Sequence, residues 1–334
     1  MALVKDLADN TANFIGNVDH SYPGMYTALS LNEKRNRRIE QKHYIIRGGE
    51  EGRARLRVLS RVMRPTTLSL LERAGIRPGM ECLEVGCGSG DLAFDLSQMV
   101  GAGGRVVATD IDEIKLRLAR QEAEQQRVIN LEFRLADIVE DEFEKFDFAH
   151  ARFVLAHLRN PQEALEKMWR AIRPGGILVL QDSDFRGCFC HPECAAFSRY
   201  VQLYTQTAQR RVVDPNIGPR LPGLLAKAGF EKIQINVVQN AAMSGEVKLM
   251  APLTMENIVD AVLAAGLASR AELDRLVHEL YEFARDPDTV IGGPRVVEAW
   301  GHRPLRESGA VGRMTFRNET MGSRAWIEKH SRSV

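Results

Sequence analysis

The stretch Glu84-Val85-Gly86-Cys87-Gly88-Ser89-Gly90 constrains this chain more than any other. It follows an apolar run, Met80 to Val85, and opens a helical pattern carried by Leu92, Leu96 and Met99. Glycines placed between a strand and a helix let the backbone turn tightly and pass close to a ligand. Spaced glycines also occur in ordinary turns, so the next acidic residue decides whether a nucleotide is involved. Asp110 ends the β-branched run Arg105-Val106-Val107-Ala108-Thr109. It falls about 20 residues past the last glycine, where a carboxylate at a strand tip can accept both ribose hydroxyls. The pair favours an adenosine-type ligand.

A dinucleotide fits poorly, because the loop lacks the Gly-x-Gly-x-x-Gly spacing that seats a pyrophosphate on a helix N-terminus. Glu84 would also oppose a pyrophosphate, whereas it suits a cationic sulfonium or an ammonium group. Four further segments follow in order: Asp110-Ile111-Asp112, Leu135-Ala136-Asp137-Ile138, Phe146 to Arg152, and Arg173-Pro174-Gly175-Gly176 before Ile177-Leu178-Val179-Leu180. With the glycine loop they resemble the motifs of the class I methyltransferases that use S-adenosylmethionine (AdoMet), over roughly Tyr44 to Pro304.

That resemblance implies AdoMet as cofactor, and it implies roles for individual residues. Glu84, Gly86, Cys87, Gly88 and Gly90 would form the cradle, with Asp110 and Ile111 at the ribose. Asp137 would meet the adenine amino group while Ile138 lines the ring. Arg152 would face the cofactor or a substrate carboxylate, with a surface salt bridge as the alternative. Tyr44 is similar to a tyrosine whose hydroxyl reaches the methionine carboxylate in related bacterial small-molecule methyltransferases; an aromatic that staples the arm to the core is the other reading.

The fold expected is α/β and doubly wound: a Rossmann-like, seven-stranded, mostly parallel sheet with an antiparallel last strand and helical cap insertions. Alternating strands and helices from residue 80 to 182 require parallel strands with right-handed crossovers. Ligands then gather at the carboxyl ends of the strands, where the glycine loop, Asp110, Asp137, Arg152 and Asp182 all fall. Residues 1–50 read as an N-terminal arm or lid, 51–185 as the AdoMet-binding core, and 186–230 as a helical cap segment. Residues 231–304 read as the last two strands with an inserted cap, and 305–334 as a polar, basic tail. Between Gly52 and Ala74 the apolar spacing predicts a helix pair, with Pro65 starting the second helix.

Methyl transfer from a sulfonium is an in-line displacement that asks for alignment and exclusion of water more than for acid–base chemistry. His157, just past the fourth strand, is the candidate base if the acceptor must lose a proton; a histidine that packs or caps is the alternative. His191 is a second candidate. The apolar and aromatic content of the cap (Phe185, Phe189, Phe197, Tyr200, Tyr204) points to a partly hydrophobic small molecule, in keeping with a natural-product or secondary-metabolism intermediate. Two other readings stay open: an AdoMet-binding fold that promotes a cyclisation or other non-methylating step, and a non-catalytic AdoMet-binding interaction protein.

Lys and Arg number 45 against 44 Asp and Glu, which leaves no electrostatic footprint for nucleic acid. No apolar run approaches the roughly 20 residues of a membrane span, and no signal segment opens the chain, so a cytoplasmic protein with no membrane partner is expected. A homodimer is compatible with the tail. Cys188, Cys190, His191 and Cys194 crowd one loop, but no second cysteine pair complements them, so no metal is expected.

Overall fold

The computed structural model describes residues 46–305. Tyr44, most of the expected arm and all but the first residue of the tail lie outside the described residues. Helix α1 (Gly49–Ala74) leads into β1 (Glu81–Val85), α2 (Asp91–Val100), β2 (Arg105–Asp110), α3 (Glu113–Gln126), β3 (Leu131–Leu135) and β4 (Phe146–Arg152). Next come α4 (Pro161–Ala171), β5 (Ile172–Asp184), β6 (Phe189–His191), α5 (Ala195–Arg210), α6 (Leu221–Ala228), β7 (Glu231–Val238) and β8 (Ala241–Ala242). Helices α7 (Glu246–Ala264) and α8 (Arg270–Arg285) precede β9 (Val290–Gly292) and β10 (Arg295–His302).

The main sheet has seven strands in the order β3-β2-β1-β4-β5-β10-β7, with β10 antiparallel to both neighbours. This is the doubly wound, mostly parallel arrangement expected. The strand order reverses between β1 and β4, which pair in parallel from Cys82↔Phe148 to Val85↔Ala151. Such a reversal leaves a crevice outside the carboxyl ends of the strands.

Alternation along the strands assigns the two faces of the sheet. Cys82, Val106, Phe148, Val179 and Trp300 pack with Leu70 and Leu71 of α1 and Leu92 and Leu96 of α2. Leu83, Val107, Ala149, Leu178 and Ala299 pack with Leu165 and Met168 of α4 and Leu221 and Leu225 of α6. A separate apolar cluster joins Phe197 and Leu203 of α5, Met255 and Ile258 of α7, and Leu273 and Leu280 of α8. These three helices form a cap with its own core over the carboxyl edge. Within it the Lys248 ammonium is buried and donates to the carbonyls of Met243 (3.1 Å), Asp286 (2.5 Å) and Thr289 (3.1 Å) and to Thr289 Oγ1 (2.7 Å).

Two expectations need correction. Helix α1 is continuous through Pro65 rather than a pair of helices. Arg61 and Pro65 both lie on its exposed face, so the carbonyl that loses its N–H partner points away from the core. Buried Met63, Thr67, Leu70 and Leu71 hold the helix against the core on either side of the ring. The segment Cys188–Cys194, read as a plain loop, instead contributes β6 to a second, three-stranded sheet of order β6-β9-β8.

Candidate active site

The carboxyl ends of the parallel strands open into a cavity of about 1550 Å³ beneath the cap. One wall carries Glu84, Gly86, Cys87, Gly88, Asp110, Ile111, Asp137, Ile138, Arg152 and His157. Gly90, expected in the same set, does not reach the wall. It caps α2 with a φ of 85°, and a Cβ there would sit 3.0 Å from Ala119 and from the Phe133 ring, so close packing also requires a glycine here.

At Gly86 the backbone has a φ of 71°, and a Cβ would meet Val154 Cγ2 at 2.5 Å. Asp110 holds this loop: its Oδ2 accepts the Gly88 N–H at 2.8 Å, and its Oδ1 accepts that of Asp112 at 3.0 Å. A carboxylate offers about four lone-pair sites, so capacity for ribose hydroxyls is left. Asp112 in turn caps α3 through Ile114 N–H and accepts from Gly49 N–H at 3.0 Å. Burial pushes its carboxyl up, but the Lys115 ammonium and the backbone N–H groups of Gly49 and Lys115 outweigh burial and hold it below the ordinary range. Asp137 Oδ1 accepts the Val139 N–H at 2.9 Å, and Ile138 beside it is buried.

Glu84 is 4% exposed, and its Oε2 has no hydrogen-bond partner. Burial raises its pKa to about 8 against the opposing pull of Arg152, with Asp91, Asp110 and Asp95 adding to the rise. An unpaired buried carboxyl oxygen demands a donor. An ammonium group of a bound AdoMet would supply one, so the residues present fit that cofactor. The Arg152 guanidinium donates to Thr67 Oγ1 (3.0 Å) and Ser60 Oγ (3.5 Å) on α1, which turns its charge toward the cavity side of β4.

His157 ends a short 3-10 turn, Leu155–His157, and is buried in the cavity wall. Burial lowers its pKa to about 4, with Arg55 and Lys115 contributing, so the imidazole is neutral at physiological pH. His150 lies inside β4 and meets Gln181 Oε1 at 3.2 Å, away from the cavity. His191 is exposed on β6 and does not line the cavity. Buried Asp182 accepts the Ala156 N–H at 3.0 Å and so props the turn that carries His157.

The opposite wall comes from α1 and the cap: Leu59, Val62, Phe185, Tyr200, Tyr204 and Met250 among others. Phe185 and Tyr204 stack with centroids 4.1 Å apart. Phe197 instead packs inside the cap core, and Phe189 is exposed outside the cavity. Arg55 and Thr254 of this wall were not anticipated. Arg55 sits among Arg53, Arg57 and Arg61 on one helix, and no local pattern separates the buried one from its ion-paired neighbours.

A family model described as a methyltransferase domain matches residues 76–229, just under half of the chain. The chain is 29% identical to an uncharacterized 37.1 kDa protein in a Streptomyces fradiae transposon, over 62% of this chain and 60% of that protein. It is 29% identical to the demethylmenaquinone methyltransferase of Lactococcus lactis subsp. lactis, over 40% of this chain and 52% of that enzyme. It is 37% identical to a ubiquinone/menaquinone biosynthesis C-methyltransferase of Pseudomonas entomophila, over 34% of this chain and 46% of that enzyme. The chain thus spans less than two thirds of the length of each of these relatives. A crystal structure of a putative methyltransferase from Bacillus halodurans aligns with a TM-score of 0.48 at 19% identity, over 71% of this chain and 98% of that one. Among the described residues no helix is long and apolar enough to cross a membrane. The family match and the order of the motif segments agree: the chain carries a class I AdoMet-dependent methyltransferase domain.

Proposed function

We propose that this protein transfers the methyl group of AdoMet to a small, partly hydrophobic acceptor held between the motif wall and the cap. The observation that carries this reading is that one cavity has both walls: Glu84, Asp110 and Asp137 on one side, and Phe185, Tyr200, Tyr204 and Met250 on the other. When bound, AdoMet supplies an electrophilic methyl carbon on a positively charged sulfur. Asp110 would take the ribose hydroxyls, and Asp137 and Ile138 would hold the adenine. Glu84 would take the ammonium, while Arg152 would neutralise the carboxylate end. The aromatic cap excludes water and fixes the acceptor in line, which is the larger part of what such a displacement needs. His157, neutral and buried in the cavity wall, is the group that would take a proton from an acceptor that has to lose one. A cytoplasmic setting and an acceptor from secondary metabolism accompany this reading.

The test is incubation of the purified protein with AdoMet and a panel of quinols, phenols and enolic acids, with quantification of S-adenosylhomocysteine (AdoHcy) and methylated product. Equal molar formation of the two is expected for at least one acceptor. Product formed from an acceptor without AdoHcy would replace methyl transfer by a non-methylating reaction.

A further inference from the structure

Arg55 is the buried charged group in the cavity wall that has no counter-charge among the described residues. It is 7% exposed. Its Nε and Nη2 both donate to Thr254 Oγ1 at 3.1 Å, and the Thr254 hydroxyl itself donates to the Met250 carbonyl at 2.6 Å. Nη1 is buried and makes no hydrogen bond. A guanidinium has five N–H donors, so the end-on fork of Nη1 and Nη2 is left unmatched. Other cations nearby are compensated. Arg53 and Arg57 pair with Glu122, Arg61 with Glu246, Lys115 with Asp112, and Arg152 stands opposite Glu84. A buried charge without a partner is costly enough that proteins rarely keep one without a use.

Its surroundings say which use. The carboxylates of the cavity wall are Glu84, Asp110, Asp112, Asp137, Glu140 and Glu163, all from the motif segments and α4; the cap side contributes none. Arg55 lies close enough to His157 and to Tyr200 of the cap to act on the charge of both. It lines the same cavity as Leu59, Tyr200 and Met250, on the wall that the methyltransferase reading gives to the acceptor. Building on the methyltransferase reading above, we propose that Arg55 is a specificity-determining residue that receives the carboxylate of an otherwise apolar, aromatic acceptor. The fork geometry matches two carboxylate oxygens, and charge-assisted pairs of this kind discriminate strongly against neutral isosteres.

The cofactor's own carboxylate is the other anion that can reach this cavity, and the experiment separates the two. Full-length protein saturated with AdoHcy is titrated with matched pairs of probes: benzoate and benzamide, 2-naphthoate and 2-naphthamide, 2-anthroate and its amide. The best-fitting carboxylate is expected to bind at least tenfold tighter than its amide. In Arg55→Gln that preference should fall below threefold while AdoHcy affinity stays within twofold of wild type. Should Arg55→Gln fail to fold, Arg55→Lys, which keeps the charge and loses the fork, is expected to lose most of the preference. If no carboxylate binds tighter than its amide, the proposal is overturned and the methyltransferase reading stands. If a folded Arg55→Gln loses AdoHcy, the guanidinium serves the cofactor and the proposal is again overturned. Failure of the wild type to bind AdoHcy overturns both.

Discussion

In the ligand-free protein Glu84 is a protonated acid at neutral pH, because its pKa of about 8 lies above the ordinary carboxyl value of 4.5. The native state thus holds a proton that the unfolded chain gives up. The stability tied to that proton is complete below about pH 4.5 and is lost as pH rises through about 8. By pH 7 the loss amounts to roughly 3 kcal/mol, two to three pH units at about 1.36 kcal/mol each. Glu84→Gln should therefore stabilise the ligand-free protein by up to roughly 3 kcal/mol at pH 7 and flatten its stability between pH 5 and 8, the window set by those two values. An ammonium placed against the carboxyl reverses the balance, so binding should expel the proton. AdoHcy affinity is then expected to tighten close to tenfold from about pH 6 to about pH 7. Calorimetry in two buffers of different ionisation heat should count nearly one proton released per site. In Glu84→Gln the release and the slope should both vanish. A wild-type affinity that is flat over this range, or a slope that the variant retains, would refute the reasoning.

Three other outcomes follow from the same geometry. Gly86→Ala places a Cβ 2.5 Å from Val154 Cγ2 at a φ of 71° and should cost about 3 kcal/mol in chemical denaturation; Gly79→Ala, with open space at a φ of 86°, should cost about 1 kcal/mol. Equal losses at the two sites would show that the close approach at Gly86 is unimportant. His157 has a pKa of about 4, so its ring resonances in NMR should stay unchanged from pH 8 down to about pH 5.5. A midpoint near the ordinary histidine value would contradict its burial in the cavity wall. Lys248→Met leaves carbonyls of Met243, Asp286 and Thr289 without a donor and should lower stability by roughly 3 kcal/mol, measured by urea unfolding, with a change under about 1 kcal/mol counting against the cap architecture.

The parallel core was legible because each motif couples a local pattern to a fixed place on the strand edge. Asp110 could be placed from the β-branched run before it, and an antiparallel last strand, β10, followed from the resemblance rather than from any local pattern, while its place between β5 and β7 came from the structure. The second sheet was not legible, since β6, β8 and β9 span at most three residues, too few for an alternation to register. Pro65 misled because a proline reads as a helix start, whereas its exposed position in α1 lets the helix run on. Gly90 shares its spacing with the loop glycines but faces Phe133, a distinction that only the packing of α3 on β3 creates. Arg55 was hidden for a related reason: whether one arginine among several is paired or stranded is decided by Glu122, Asp95 and Glu246 on distant elements.

The most direct measurement is calorimetric titration of AdoMet and AdoHcy into the wild-type protein and into Asp110→Ala. The wild type should bind both saturably with one site at submillimolar concentration. The variant, which removes the acceptor of the Gly88 N–H and the carboxylate proposed for the ribose, should bind at least about tenfold more weakly. A folded wild-type protein that binds neither ligand, or an Asp110→Ala variant that binds as tightly as wild type, would contradict the assignment of this cavity to AdoMet.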